Sequence, residues 1–239
     1  MLAKKDNRTQ ETKNSVQVEF LSGVKAELPL MIGVVPFGMI YGILALSAGL
    51  PASAAQAMSV IIFAGSSQFV SAQLFSLSVP AVINIFTVGV INLRHTLYSA
   101  SIAPYLQKLP NRWKWSLGYL LTDEAYAVSI IHYQEKDDGR NKHWFFLGAG
   151  LTLWTTWQLS TAVGVFLGAS VPVSWSLDFT LALIFIALTV PYLKDRASLG
   201  AALSGGVIAV IAFNLPLKLG LLVAAIIGIL VGLSLERKS

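Results

Sequence analysis

From Leu28 to Leu93 the chain runs 66 residues without one Asp, Glu, Lys or Arg. A bilayer core takes about 20 apolar residues per helix. This stretch therefore holds three crossings, or two crossings and a re-entrant segment. The whole chain fits that reading: of 239 residues 55% are hydrophobic and only 12% charged. Soluble domains carry roughly twice that share of charge, so a water-soluble globule is excluded. Disorder is excluded by the same numbers, because disordered chains are polar and charged. The apolar runs are continuous and of helix length, without the alternation of barrel strands. The sequence predicts an all-α integral membrane protein, a polytopic bundle of seven or eight transmembrane helices, some discontinuous.

Turn signals at Gly49-Leu50-Pro51 and Ser78-Val79-Pro80 divide the long run into spans near 28–50, 54–78 and 80–104. Further spans are expected near 115–133, 144–168, 176–193, 197–213 and 217–235. Residues 1–27 lack the apolar core of a signal peptide. They read as a cytoplasmic tail, with an interfacial helix over 15–27. Residues 28–235 form the transmembrane domain and 236–239 a short C-terminal tail. The positive-inside rule puts the N-terminal tail, loop 134–143, Lys194 with Arg196, and the C-terminus on the cytoplasmic side. Lys108, Arg112 and Lys114 break that rule if all eight segments cross. Trp113, Trp115, Trp144 and Trp175 sit near span ends, as an aromatic belt requires. His132 and His143 flank the charged loop and are expected to be solvated. The net charge of +5 is spread over short loops, with no dense basic stripe to bind nucleic acid.

Three motifs carry chemistry. The first is Asn92-Leu93-Arg94-His95-Thr96-Leu97-Tyr98-Ser99-Ala100-Ser101. Arg94 lies inside an apolar span, where an Arg costs roughly 2.5–3.5 kcal/mol on insertion scales. It must face a cavity, a counter-charge or, near a span end, the headgroups. Arg94, Tyr98 and Ser101 share one helical face, and Asn92, His95 and Ser99 a neighbouring one. The second motif is Thr122-Asp123-Glu124, expected at the middle of the fourth span. Asp123 is the natural partner of Arg94, and Glu124 then faces a pore or a proton path. A structural ion pair that only fixes helix packing is the competing reading. The third is Phe63-Ala64-Gly65-Ser66-Ser67-Gln68-Phe69. Its small and hydroxyl residues let a helix unwind at Gly65 and coordinate a ligand, as in carriers with discontinuous helices. Pro36-Phe37-Gly38 is expected to break the first span likewise, because proline removes a donor. Small residues also simply pack helices. The GxxxG pairs Gly38/Gly42, Gly164/Gly168 and Gly228/Gly232 add little, since 19 glycines give roughly one or two such pairs by chance.

The chain has no cysteine, which removes disulfides and thiolate chemistry. It contains no GxxxxGK[ST], HExxH or GxSxG sequence. No cofactor, metal or catalytic residue is expected.

Taken in order, Gly33-Val34-Val35-Pro36-Phe37-Gly38, Phe63–Phe69, Asn92-Leu93-Arg94-His95 with Tyr98–Ser101, and Thr122-Asp123-Glu124 resemble the AzlC family, the large subunit of branched-chain amino acid exporters. The resemblance runs from about Phe20 to the C-terminus and rests in the second half mainly on hydropathy. It implies a multi-pass inner-membrane exporter of valine, leucine and isoleucine, driven by the proton gradient and paired with a small AzlD-type membrane subunit. It assigns no residue to the substrate. On physical grounds the substrate and ion candidates are Arg94, His95, Asn92, Asp123, Glu124, Ser66, Ser67 and Gln68, with helix breaks at Pro36, Gly38 and Gly65. Two other classes compete: a membrane-embedded enzyme using His95 with Asp123 or Glu124, and a passive channel for small metabolites. One histidine beside two adjacent acids is a poor metal set, since catalytic zinc usually has three protein ligands.

Overall fold

A computed structural model describes residues 16–135, 141–169, 193, 195–215 and 219–236. Among them all regular structure is helical. The chain divides into two compact units, residues 1–73 with 88–171 and residues 74–87 with 172–239.

The first unit opens with α1, residues 16–27, which passes through a 3-10 turn at Leu28–Leu30 into α2, Met31–Ser47. Val16–Ser47 is long and apolar enough to cross a membrane, the one helix among the described residues that meets both criteria. The expected interfacial segment 15–27 thus runs on into the first span. α1 lies against α8 (Lys142–Gly168) backbone to backbone: Gly23 meets the carbonyl of Phe145, and Gly148 meets that of Phe20.

The break expected at Pro36–Gly38 is absent. α2 runs through Pro36 unbroken. The proline forfeits one hydrogen bond, and close packing against α8 accompanies the continuous helix through it. A Cβ on Gly38 would stand 2.7 Å from the Cβ of Ser160, and Gly164 meets the carbonyl of Met39. The GxxxG pairs Gly38/Gly42 and Gly164/Gly168, discounted on frequency, form this α2–α8 seam.

Helix ends follow local chemistry. α2 stops at a Schellman cap: Leu50 N–H donates to the Ala45 carbonyl and Gly49 N–H to Leu46. That cap needs a left-handed residue, and Gly49 supplies φ 87°. The same pair of bonds closes α4 (Gly65–Ser76), from Val79 to Leu74 and from Ser78 to Phe75, with Ser78 at φ 53°. In each turn a proline follows the cap and ends the run. α3, α5 and α6 (Ala52–Ile61, Ala81–Leu106 and Asn111–Tyr119) start directly after Pro51, Pro80 and Pro110.

Two expected spans are each split in two. Segment 54–78 becomes α3 and α4, parted at residues 62–64, where Phe63 has φ 44°. Segment 115–133 becomes α6 and α7 (Asp123–Glu135), parted at residues 120–122. At about 1.5 Å per residue each of these pieces spans roughly half a bilayer core, whereas α5 and α8 exceed a full one.

In the second unit α9, Arg196–Ile211, and α10, Gly220–Glu236, form an antiparallel pair. Gly200 faces Leu235, Gly205 faces Gly228, and Gly220 faces Ala212. The Asp195 carboxylate caps α9 by accepting from Ser198 N–H at 2.6 Å, which holds its pKa below the usual carboxylate range. The segment expected at 176–193 and Trp175 lie outside the described residues, apart from Leu193. Ile32, Ile85, Leu97, Phe166 and Val210 are each more than 70% exposed. Such apolar surface is a liability in water and an ordinary exterior in lipid.

Candidate functional site

The Thr122-Asp123-Glu124 motif is a helix start, not the middle of a span. Thr122 caps α7: its hydroxyl accepts from Ala125 N–H at 3.4 Å and its carbonyl from Tyr126 N–H at 3.0 Å. Asp123 and Glu124 fill the first turn, where negative charge complements the helix dipole. The broken span therefore delivers both acids into the protein interior. Near the middle of α5, Arg94 meets them: its Nη1 is 2.8 Å from Asp123 Oδ2. Tyr98 and Ser101 continue the same face of α5. Tyr98 stacks on Tyr126 at 4.6 Å, and Tyr126 donates to Ser101 at 2.8 Å. The polar stripe of α5 thus packs on α7.

Arg94 also donates to Ser66 at 3.2 Å, at the start of α4. The Phe63–Gly65 break brings that helix start to the same place. Tyr119, at the end of α6, ties the two breaks together by donating to the Val60 carbonyl at 2.5 Å. Gly65 is needed by its neighbours, since a Cβ there would lie 2.9 Å from the Phe37 ring and 3.1 Å from Trp157.

Between these parts lies a cavity of about 50 Å³. Ser66, Arg94, His95, Asp123 and Glu124 line its polar side, and Val34, Phe37, Leu153 and Trp157 its apolar side. The Arg94–Asp123 pair is incomplete. Arg94 Nε and Asp123 Oδ1 are buried with no hydrogen-bond partner among the described residues. A cation and an anion, each with one unused polar atom, can together hold a zwitterion. The start of α4 adds backbone N–H groups and the positive end of a helix dipole.

Three candidates are not brought to the cavity. Ser67 donates to Asn92 at 2.6 Å, so each satisfies the other. Gln68 is fully buried, donating to Ser59 at 3.0 Å and accepting from Trp157 at 3.1 Å. These groups belong to a polar zipper among α3, α4 and α8. It includes Gln56 to Gln158 at 2.9 Å and Ser59 with Thr161 at 2.8 Å. The histidines expected in solvent are packed. His132 stacks on Phe145 at 3.7 Å with Nε2 2.9 Å from Glu19, and His143 stands edge-on to Trp113 at 4.6 Å. Each imidazole is a flat, half-apolar ring with aromatic side chains beside it, which shield it from water.

Sequence reasoning missed Phe37 and Trp157 as cavity walls and the zipper behind them. The zipper had a signal: Gln158 and Thr161, one helical turn apart, are polar positions in the largely apolar 144–168 run.

Together these features define a helical membrane protein whose broken helices enclose a charged cavity. The AzlC protein family model matches residues 29–171, and the chain belongs to that family. It is 34% identical to an uncharacterised membrane protein of Archaeoglobus fulgidus, over 87% of this chain and 92% of that one. The inner membrane protein YgaZ of Escherichia coli is 27% identical over 84% of each chain. The branched-chain amino acid transport protein AzlC of Bacillus subtilis is 24% identical over 83% of this chain and 78% of its own. No solved structure matches the chain.

Proposed function

We propose that this protein is a secondary carrier that exports branched-chain amino acids across the inner membrane, coupled to protons and working with a small AzlD-type subunit. The observation that carries the reading is the half-used ion pair: Arg94 and Asp123 line one cavity, and Arg94 Nε and Asp123 Oδ1 are buried without a hydrogen-bond partner among the described residues. In this reading the substrate carboxylate takes Arg94 Nε and the start of α4, and the ammonium takes Asp123 Oδ1 beside Glu124. A branched side chain lies against Val34, Phe37, Leu153 and Trp157. His95, on the wall next to Arg94, orients the polar end. The name of the Bacillus subtilis relative supports the choice of substrate. A cavity of about 50 Å³ holds only a few waters, so the site must widen to admit an amino acid, as alternating access requires.

The test is efflux from bacterial cells loaded with a valine-containing dipeptide, with and without the protein and its small partner. Faster valine efflux, lost in both Arg94→Ala and Asp123→Asn, is the expected result. Unchanged efflux of every branched-chain amino acid, with the protein verified in the membrane, overturns the substrate assignment.

A further inference from the structure

One fully buried acid is not among the residues that line the cavity. Glu27, at the end of α1, has no exposed surface, and neither carboxylate oxygen has a hydrogen-bond partner among the described residues. It follows Gly23 by one turn, on the α1 face that meets α8. α8 carries no charged residue between 144 and 168. From α7 the charge that reaches Glu27 is that of Glu124, a second acid. On α1 itself the nearest ionisable residue in sequence is Lys25, which is exposed. An ionised carboxylate in that setting is unpaired, without hydrogen bonds and facing a like charge, which costs several kcal/mol. Burial of the neutral acid costs far less.

The α1–α7 interface continues the theme. The charge of Glu124 on α7 reaches Glu27, and two turns further along α7 His132 Nε2 is 2.9 Å from Glu19, two turns earlier on α1. His132 and Glu19 are partly open, with side chains 12% and 20% exposed. α1 and α7 thus carry exchangeable groups at successive levels: Glu124 on the cavity wall, the buried Glu27, and the partly exposed His132–Glu19 pair.

We propose that Glu27 is a proton-binding site, loaded from Glu124 and emptied toward His132 and Glu19, through which the carrier couples to the proton gradient. The step is a plain proton transfer: Glu124 loses the proton that Glu27 gains, and no other bond changes. This rests on the carrier reading above and adds the residue that holds the coupling ion.

Two readouts separate the claims. Infrared spectra of the purified protein at neutral pH report the carbonyl stretch of protonated carboxyls. That signal is expected to fall in Glu27→Gln and to persist in Lys25→Gln. In liposomes with the small partner, Glu27→Gln is expected to keep valine exchange between the two sides and to lose accumulation driven by a pH gradient. Glu27→Asp restores part of that accumulation. An infrared signal identical in wild type and Glu27→Gln overturns the site. A lost signal with full pH-driven accumulation overturns its coupling role. If the wild type exchanges no branched-chain amino acid while the signal is still lost in Glu27→Gln, the substrate reading falls and the proton site stands.

Discussion

The Arg94–Asp123 pair can be tested for structure and for function by one double-mutant cycle. At 2.8 Å and an effective dielectric constant of about 20, the gross attraction is about 6 kcal/mol. Both side chains are about a third exposed, and most of that attraction is offset by desolvation. The net coupling expected is about 2 kcal/mol, within the range found for contacting residues. Arg94→Gln alone leaves Asp123 unpaired in the protein interior, and Asp123→Asn alone leaves Arg94. Each single variant should cost roughly 2–3 kcal/mol, the scale of an uncompensated intramembrane charge. The double variant removes both charges and should cost less than the sum by the coupling term. Unfolding in detergent, followed by tryptophan fluorescence, measures all four proteins. Transport should be absent in all three variants, because restored packing does not restore a zwitterion site. Single-variant costs that add within about 0.5 kcal/mol refute the pair as a coupled unit. Transport recovered in the double variant refutes its role in binding.

Gly164→Ala drives a Cβ into the Met39 carbonyl and should destabilise by about 1–3 kcal/mol. Gly33→Ala, with nothing within 4 Å of its Cβ, should be neutral or stabilise by about 0.5–1 kcal/mol, and thermal unfolding of the two side by side checks the seam. Trp157→Phe leaves the buried Gln68 carbonyl without its donor and should cost about 1–3 kcal/mol of stability. His143 lies just outside the apolar stretch of α8, and burial lowers its pKa from the usual 6.5. The unfolded chain then binds the proton more readily, so stability should fall as pH drops through about 6.5, and this pH dependence should flatten in His143→Gln.

The sequence reads well where one residue type has one physical use. Uncharged runs mark apolar helices, and Gly49 and Pro51 mark the end of one helix and the start of the next. The pairing of Arg94 with Asp123 follows from the cost of either charge alone. It reads poorly where tertiary packing decides. Pro36 should break α2 by its backbone chemistry, yet the helix continues through it, packed by glycine contacts against α8. Leu120-Leu121 holds no glycine or proline, so the α6–α7 break is invisible in those two residues. The signal was Thr122 followed by two acids, which is the chemistry of a helix start. The continuous hydropathy around it makes a mid-helix charge pair the expectation from sequence. Glu27 stands beside a polar N-terminal stretch, and hydropathy alone assigns it to the tail.

If the protein is the carrier proposed above, the two breaks answer the problem that a zwitterionic substrate poses. Both charges of the substrate must be met in an apolar interior, and both must be released. A continuous helix spends its backbone groups on itself and can offer only side chains. The break at Phe63–Gly65 frees N–H groups at the start of α4, where the Ser66 hydroxyl accepts from Arg94 Nη2. The break before α7 does the opposite, since its first turn is already matched by Asp123 and Glu124. One helix start is therefore open to an anion, and the other presents carboxylates to a cation. Arg94 joins them through Ser66 on one side and Asp123 on the other. In the proposed carrier, a substrate that inserts its carboxylate and ammonium would compete with that internal bond. On that reading its binding energy would be reduced by the cost of parting the pair, and release would be favoured because the pair reforms.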